Sequence, residues 1–210
     1  MNVAYNVDCM EYMRALPEKA FDLAVVDPPY GISITNSGRL KKYNANNKKW
    51  DEEIPQKQYF DELFRVSKNQ IIWGGNYFYL PPTRCFLIWD KQQPEDVSFA
   101  SCEFAWTSFD QSAKTFYYSM LHDKDYRFHP TQKPVSLYSW IFSRYAKPGD
   151  KILDTHLGSG SSRIAAWNAG LDFVGCEIDP DYFKAQEERF KEHTAQENLF
   201  LQMEMLEGTE

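Results

Sequence analysis

The chain has 210 residues, 43% of them hydrophobic and 16% aromatic, which is enough for one large domain with a substantial core. Its net charge of −7 would repel a polyanion, so a nucleic-acid role requires basic residues concentrated in one patch. The four scattered cysteines form no Cys-x-x-Cys pair, so reduced thiols and no metal are expected. No apolar run approaches the roughly 18 residues of a membrane span. The amino terminus has neither the basic nor the apolar region of a signal peptide. The expected setting is cytoplasmic, with no membrane partner.

In chain order, Asp8 to Leu16 predicts a helix, with Met10, Met13 and Leu16 at helical spacing. Phe21 to Val26 is a short apolar run that predicts a buried parallel strand, ended by Asp27-Pro28-Pro29 because proline cannot continue a ladder. Gln70 to Gly75 and Arg84 to Trp89 predict two further strands. Glu103 to Phe109 and Lys114 to Ser119 are rich in aromatic and β-branched residues and predict an antiparallel pair. Pro134 to Tyr145 predicts a helix that Lys147-Pro148-Gly149-Asp150 stops. A strand at Lys151 to Asp154, a helix at Ser161 to Ala169 and a strand at Asp172 to Cys176 follow. Asp179-Pro180 opens a long charged helix. Alternating strands and helices predict an open, mostly parallel α/β sheet. There are no internal repeats, and the one candidate linker is 36–55.

Two segments carry chemistry. The strand ending at Asp154 leads into Thr155-His156-Leu157-Gly158-Ser159-Gly160-Ser161, then a helix, then a strand ending at Glu177. Glycines let a backbone approach a ligand, and an acid one strand later accepts from ribose hydroxyls. The loop has no lysine and no phosphate signature, which suits a phosphate-free cofactor such as S-adenosylmethionine. A plain tight turn is the alternative, and Glu177 weighs against it.

The second segment is Asp27-Pro28-Pro29-Tyr30. An exocyclic amine of adenine or cytosine is a poor nucleophile because its lone pair is delocalised into the ring. Two acceptors on its hydrogens, the Asp27 carboxylate and the Pro28 carbonyl, would draw that lone pair out. Pro28 and Pro29 stiffen the turn that holds them. Tyr30 would stack on the base, a contact worth about 1–3 kcal/mol, once the base has left the duplex. The alternative is a strand-ending turn with a core tyrosine.

With these residues the chain resembles the β-group of S-adenosylmethionine-dependent DNA amino-methyltransferases. Three more stretches fit. Asn6 to Glu11 is similar to the segment whose Asp, here Asp8, contacts the cofactor adenine, with Cys9 and Ile178 beside it. His129-Pro130-Thr131-Gln132-Lys133-Pro134 is similar to the segment near the cofactor's methionine end, which implicates His129, Thr131 and Lys133. Trp73-Gly74-Gly75-Asn76 and Ile88-Trp89-Asp90-Lys91 match in type and order.

The resemblance implies a Rossmann-like, circularly permuted fold: a mostly parallel seven-stranded sheet with a final antiparallel strand. It implies a single domain over 1–210, with a catalytic half over about 1–80 and a cofactor half over about 129–195. Short target-recognition or DNA-contact segments would fall near 33–55 and 92–128. The family usually has Pro-Phe where this chain has Thr155-His156. The target-recognition region is short for the group, which implies loose specificity or a second copy of the chain as partner.

Arg39, Lys41, Lys42, Lys48 and Lys49 lie in an acid-free run just after the tetrapeptide and are the expected DNA phosphate contacts. An ordinary solvated loop is the alternative. Aromatic residues between 99 and 128 are expected in the core, and Cys9 and Cys176 are expected to pack near the cofactor. The Asp form of the tetrapeptide goes mainly with adenine N6 in the family. Cytosine N4 is the second reading, a non-catalytic DNA-binding regulator the third, and RNA or protein substrates a further one.

Overall fold

Five of the six positions of FDLAVV are apolar, and this run becomes β2 (Phe21–Val26), buried everywhere but at Asp22. In the computed structural model, residues 1–34, 48–94, 100–119 and 127–207 are described, those from 197 on as backbone alone. Around β2 the chain builds β1 (Asn2–Tyr5), α1 (Cys9–Arg14), α2 (Lys57–Val66) and β3 (Ser67–Trp73). Then follow β4 (Phe86–Asp90), β5 (Cys102–Thr107), β6 (Lys114–Tyr117) and α3 (Val135–Tyr145). The carboxyl-terminal part adds β7 (Lys151–Asp154), α4 (Ser161–Asn168), β8 (Asp172–Cys176) and α5 (Pro180–Glu207). No described helix is long and apolar enough to cross a membrane.

The sheet runs β1-β8-β7-β2-β3-β5-β4-β6. Every pairing is parallel except the two that β5 makes. This is the permuted α/β architecture expected, with β5 as the antiparallel strand. Two details differ. Among the described residues the sheet has eight strands, because β6 adds to the outer edge of β4 in parallel. The 103–109 and 114–119 segments also do not pair with each other. β5 buries Ala105, Trp106 and Thr107 and so takes an interior place between β3 and β4.

Helices cover both faces. Leu137, Ile141 and Phe142 of α3 and Ala165 and Ala166 of α4 pack on one face. Met13 of α1 and Tyr59, Phe60, Leu63 and Val66 of α2 pack on the other. Neither β1 nor α2 is among the elements expected from the sequence, although the buried face of α2 follows helical spacing.

The register places the site. β2 and β7 are neighbours, with Leu23 opposite Ile152 and Ala24 opposite Leu153. Asp27 and Asp154 therefore stand at the carboxyl ends of neighbouring strands, with Asp154 level with Val25. From there the chain order runs through β8 in one direction and β3 in the other, which is the switch point where open α/β sheets hold ligands.

Candidate active site

The backbone after β2 is fixed by Asp51, a residue that carries no motif in the sequence. Its carboxylate is 1% exposed. Oδ1 accepts from the N–H groups of Tyr30 at 2.7 Å and Gly31 at 3.1 Å, and Oδ2 accepts from Ile34 at 2.9 Å. The Tyr30 ring lies parallel to Tyr77, with centroids 5.0 Å apart and planes 13° apart, and meets Phe78 edge-on. Gly74 makes room for it: a Cβ there would stand 2.2 Å from Tyr30 Cε1, and the backbone at φ +70° is left-handed. The sequence suggests that Tyr30 acts by stacking alone. In the structure its hydroxyl also donates to Asp27 Oδ1 at 2.5 Å.

Asp27 belongs to a buried charge cluster. Lys133 Nζ, 4% exposed, donates to Asp27 Oδ2 at 2.5 Å and lies 3.0 Å from Glu103 Oε2. Lys91 Nζ pairs with Glu103 Oε1 at 2.7 Å. Burial raises the Asp27 carboxyl above the usual range, Lys133 opposes the shift and Glu103 adds to it. Burial would raise Glu103 too, but the ammonium groups of Lys133 and Lys91 overcome it and hold the group at about 2. Burial acts to lower Lys133, yet its two carboxylate partners raise it. The resemblance puts Lys133 at the cofactor; in the structure it sits on the carboxylate of the tetrapeptide. Glu103 is not singled out by the sequence, and Lys91 stands there only as the last residue of Ile88-Trp89-Asp90-Lys91. The cluster lines a cavity of about 590 Å³ that Tyr30, Asn76, Tyr77 and Gln132 also face, within the size range of small-ligand sites.

The glycine loop follows β7, the strand next to β2. Glu177, at the end of β8, accepts from Gly158 N–H on Oε2 at 2.8 Å and from Asp179 N–H on Oε1 at 2.9 Å. Burial raises its pKa. Asn6 Nδ2 donates to the carbonyls of Glu177 at 2.7 Å and Ile178 at 3.1 Å, which brings the Asp8 segment to this edge. Asp8 accepts from Met10 N–H and caps α1. Ile178 is 66% exposed at the rim. The Cys9 thiol is pushed up to about 12 by burial and by Asp8, and burial raises Cys176 as well, so both are unreactive packing groups.

Asp154 Oδ2 accepts from Ser162 Oγ at 2.5 Å, and its Oδ1 accepts from His156 N–H at 3.0 Å. Burial lifts Asp154 to about 7, with Asp27 and Glu177 adding to the shift.

Several expected ligand residues turn inward. Ser159 and Ser161 are buried, and Arg189 donates to the Ser159 carbonyl at 2.8 Å and to Ser161 Oγ at 2.9 Å. These two serines are loop-holding residues here. The Thr155 hydroxyl lies 2.6 Å from Tyr59 Oη and 2.9 Å from His156 Nδ1. Burial brings His156 down to about 4, so it is neutral. His129 stacks on Trp50 at 5.6 Å and meets Tyr182 edge-on at 4.3 Å. Its Nδ1 accepts from Thr131 N–H at 3.3 Å. Burial, with Arg127 and Lys133, lowers it to about 3. A Cβ on Gly158 would stand 3.4 Å from the His129 ring, so the loop and the 129–134 segment meet there.

Of the expected phosphate contacts, Lys48 is engaged internally. Its ammonium pairs with Asp179 and, at 2.9 Å, with Asp181, and sits 4.4 Å over the Tyr182 ring. Its charge is spent inside the fold, which corrects the expectation for this residue. Lys49 is exposed and reaches Glu52 at 3.2 Å. Arg39, Lys41 and Lys42 lie outside the described residues.

Residues 72–188, more than half the chain, match the family model described as DNA methylase. The chain is 24% identical over 250 residues to the type II methyltransferase M.HinfI of Haemophilus influenzae, covering 91% of this chain and 69% of that one. Its fold is shared with the crystal structure of an M1.HpyAVI–SAM complex, with a TM-score of 0.61 and 20% identity over 90% of this chain and 100% of that one. It is also shared with the cytosine-N4-specific PvuII DNA methyltransferase, with a TM-score of 0.60 and 12% identity over 92% and 91%.

Proposed function

The chain belongs to the DNA methylases of the N6/N4 type, and from that premise we propose that it methylates the exocyclic amine of a flipped adenine in DNA, using S-adenosylmethionine. The observation that carries the reading is the Asp27 carboxylate at a cavity of about 590 Å³, one strand away from the glycine loop.

The residues on the cofactor side fit that molecule. Asp27 and Glu177 both push the buried Asp154 up, the sign of a negative field that a ligand bearing sulfonium and ammonium charges would relieve. Glu177 would take the ribose hydroxyls and Asp8 the adenine amine, while Ile178 would give the adenine ring an apolar face. When bound, the cofactor would supply the methyl group from its sulfonium sulfur, which would keep the electron pair of the broken S–C bond and leave as a neutral thioether.

The chain's own residues do the rest. The base leaves the duplex stack to reach the cavity. Asp27 accepts from one amine hydrogen and the Pro28 carbonyl from the other, so the nitrogen lone pair turns out of the ring. As the new N–C bond forms, one N–H proton is released toward Asp27. The stacked Tyr30–Tyr77 pair gives the base an aromatic wall, and Lys133, Glu103 and Lys91 set the charge around Asp27.

Adenine is read from the Asp of the tetrapeptide. The fold does not discriminate, since the PvuII enzyme that shares it is specific for cytosine N4. Incubating the protein with S-adenosylmethionine and mixed-sequence DNA, followed by nucleoside mass spectrometry, is expected to yield N6-methyladenine. N4-methylcytosine would replace the adenine reading, and unmodified DNA would end the enzymatic one. DNA phosphates are assigned to the basic run at Arg39, Lys41, Lys42 and Lys49.

Glu177→Ala is expected to weaken cofactor binding by roughly 1.5–3 kcal/mol, the scale of a hydrogen bond involving a charged group. Calorimetry showing unchanged affinity would remove Glu177 from the cofactor site.

A further inference from the structure

Both oxygens of Asp27 already accept strong bonds, from Tyr30 Oη on Oδ1 and from Lys133 Nζ on Oδ2, each at 2.5 Å. A carboxylate pinned in this way is a weak acceptor for an arriving amine unless one donor gives way. Tyr30 has little freedom, because Tyr77 stacks on it and Gly74 lies against its ring. Lys133 differs, because a second carboxylate, Glu103, already stands 3.0 Å from its ammonium. Glu103 is itself fixed by Lys91 at 2.7 Å, just beyond the end of β4. A buried ammonium that left Asp27 without such an anchor would be stranded at large cost; here the anchor is in place.

We propose that Lys133 is a positioning residue of methyl transfer, shared between Asp27 and Glu103 so that it aims Asp27 while the cavity is empty and swings onto Glu103 when the base amine takes Oδ2. The proposal rests on the amino-methyltransferase reading given above. Glu103 and Lys91 together hold the place to which Lys133 retreats. The cluster then holds two ammonium groups and two carboxylates throughout, so its net charge does not change.

The groups facing Asp27 are Lys133, Glu103, Tyr30, Tyr138 and Asp154. Of these Lys133 alone is cationic, which gives the arrangement a pH signature. In Lys133→Met, Asp27 faces Glu103 and Asp154 with no ammonium beside it, so it binds a proton more readily. The acid limb of the kcat–pH profile should move upward, with turnover at pH 7 falling more than about tenfold and recovering toward pH 9. In Glu103→Gln, Lys133 keeps Asp27 as its only carboxylate partner and stays clamped to it. Turnover should fall by a similar factor, but the acid limb should stay or move downward. Lys133→Arg should keep the wild-type limb.

An acid limb that moves upward in Lys133→Met and stays or moves downward in Glu103→Gln, with S-adenosylmethionine affinity near wild type by calorimetry, supports the shuttle. Wild-type pH profiles in both variants, in a preparation whose wild type methylates DNA, overturn the shuttle and leave the methyltransferase reading standing. A wild type that transfers no methyl group overturns that reading and the shuttle with it. If Lys133→Met does not fold, the near-isosteric Glu103→Gln carries the test alone: an acid limb shifted upward in it overturns the proposal.

Discussion

Replacing Asp27 by asparagine is expected to lower DNA methylation by about 10³-fold, the scale for losing one preorganised electrostatic contact at a reacting centre. The amide keeps the volume of the side chain and one oxygen, so packing around the turn should survive. What it loses is the charge that makes the carboxylate a strong acceptor. Lys133 retains Glu103 as partner, so the substitution strands no cation in the interior. Thermal unfolding close to wild type, with cofactor affinity little changed, is the accompanying expectation. Turnover within tenfold of wild type in this variant would mean that the amine is not activated at Asp27.

The second large effect concerns a residue with no side chain. Gly74→Ala places a methyl group 2.2 Å from Cε1 and 2.5 Å from Cδ1 of Tyr30. No rotamer relieves that contact, so the ring must move. With it go the parallel stack on Tyr77 and the hydroxyl bond to Asp27. A displacement of this kind costs on the order of 10²-fold in rate. The left-handed backbone adds strain of about 1 kcal/mol for any L side chain. Gly149→Ala separates the two terms: its φ is +86°, and nothing lies within 4 Å of the added carbon. Both variants should lose stability in thermal unfolding, but only Gly74→Ala should lose methyl transfer. Equal activity in the two would mean that the position of the Tyr30 ring is immaterial to the reaction.

What could be read from the sequence follows how local the signal is. The runs FDLAVV, KILD and DFVGC are short segments with apolar centres and with proline or glycine beyond them, and the structure gives β2, β7 and β8 there. The fixed spacing of Asp27 to Tyr30, and of the glycine loop to Glu177, made those residues visible because each sits just beyond such a strand. Two residues with equal standing in the structure, Asp51 and Glu103, had no such marker, and two more, Lys91 and Gly74, lie in matched motifs that do not disclose what they touch. Asp51 sits among Lys48, Lys49, Glu52 and Glu53 and reads as one more surface charge, yet it is buried and grips three backbone N–H groups. Glu103 and Lys91 reach Lys133 only through the pairing of β4 with β5 and the approach of the segment before α3. A sign was available for Glu103, a lone carboxylate in the strand CEFAWT. Gly74 is visible as part of Trp-Gly-Gly-Asn, but the ring it accommodates comes from the tetrapeptide more than forty positions earlier. The misplaced pairing of 103–109 with 114–119 has the same origin: proximity in sequence suggested a hairpin, and the burial of Ala105 and Trp106 required an interior strand.

The side-by-side placement of β2 and β7 has a consequence for how the molecule comes into being. β2 meets β3 within the first third of the chain, with Phe21 opposite Ser67, but its other edge waits for Ile152 and Leu153. β1 waits longer still, since its partners start at Phe173. During synthesis an amino-terminal portion therefore emerges with two apolar strands whose ladder groups are unmatched, the state most exposed to sticking to other chains. Closing pairs so distant in sequence makes folding slow for a chain of this size. The glycine loop after β7 is brought beside the turn after β2 only when these two strands pair. Loss of the final third of the chain would take the partners of β1 and β2 along with the glycine loop, so structural integrity and chemistry would disappear in one step.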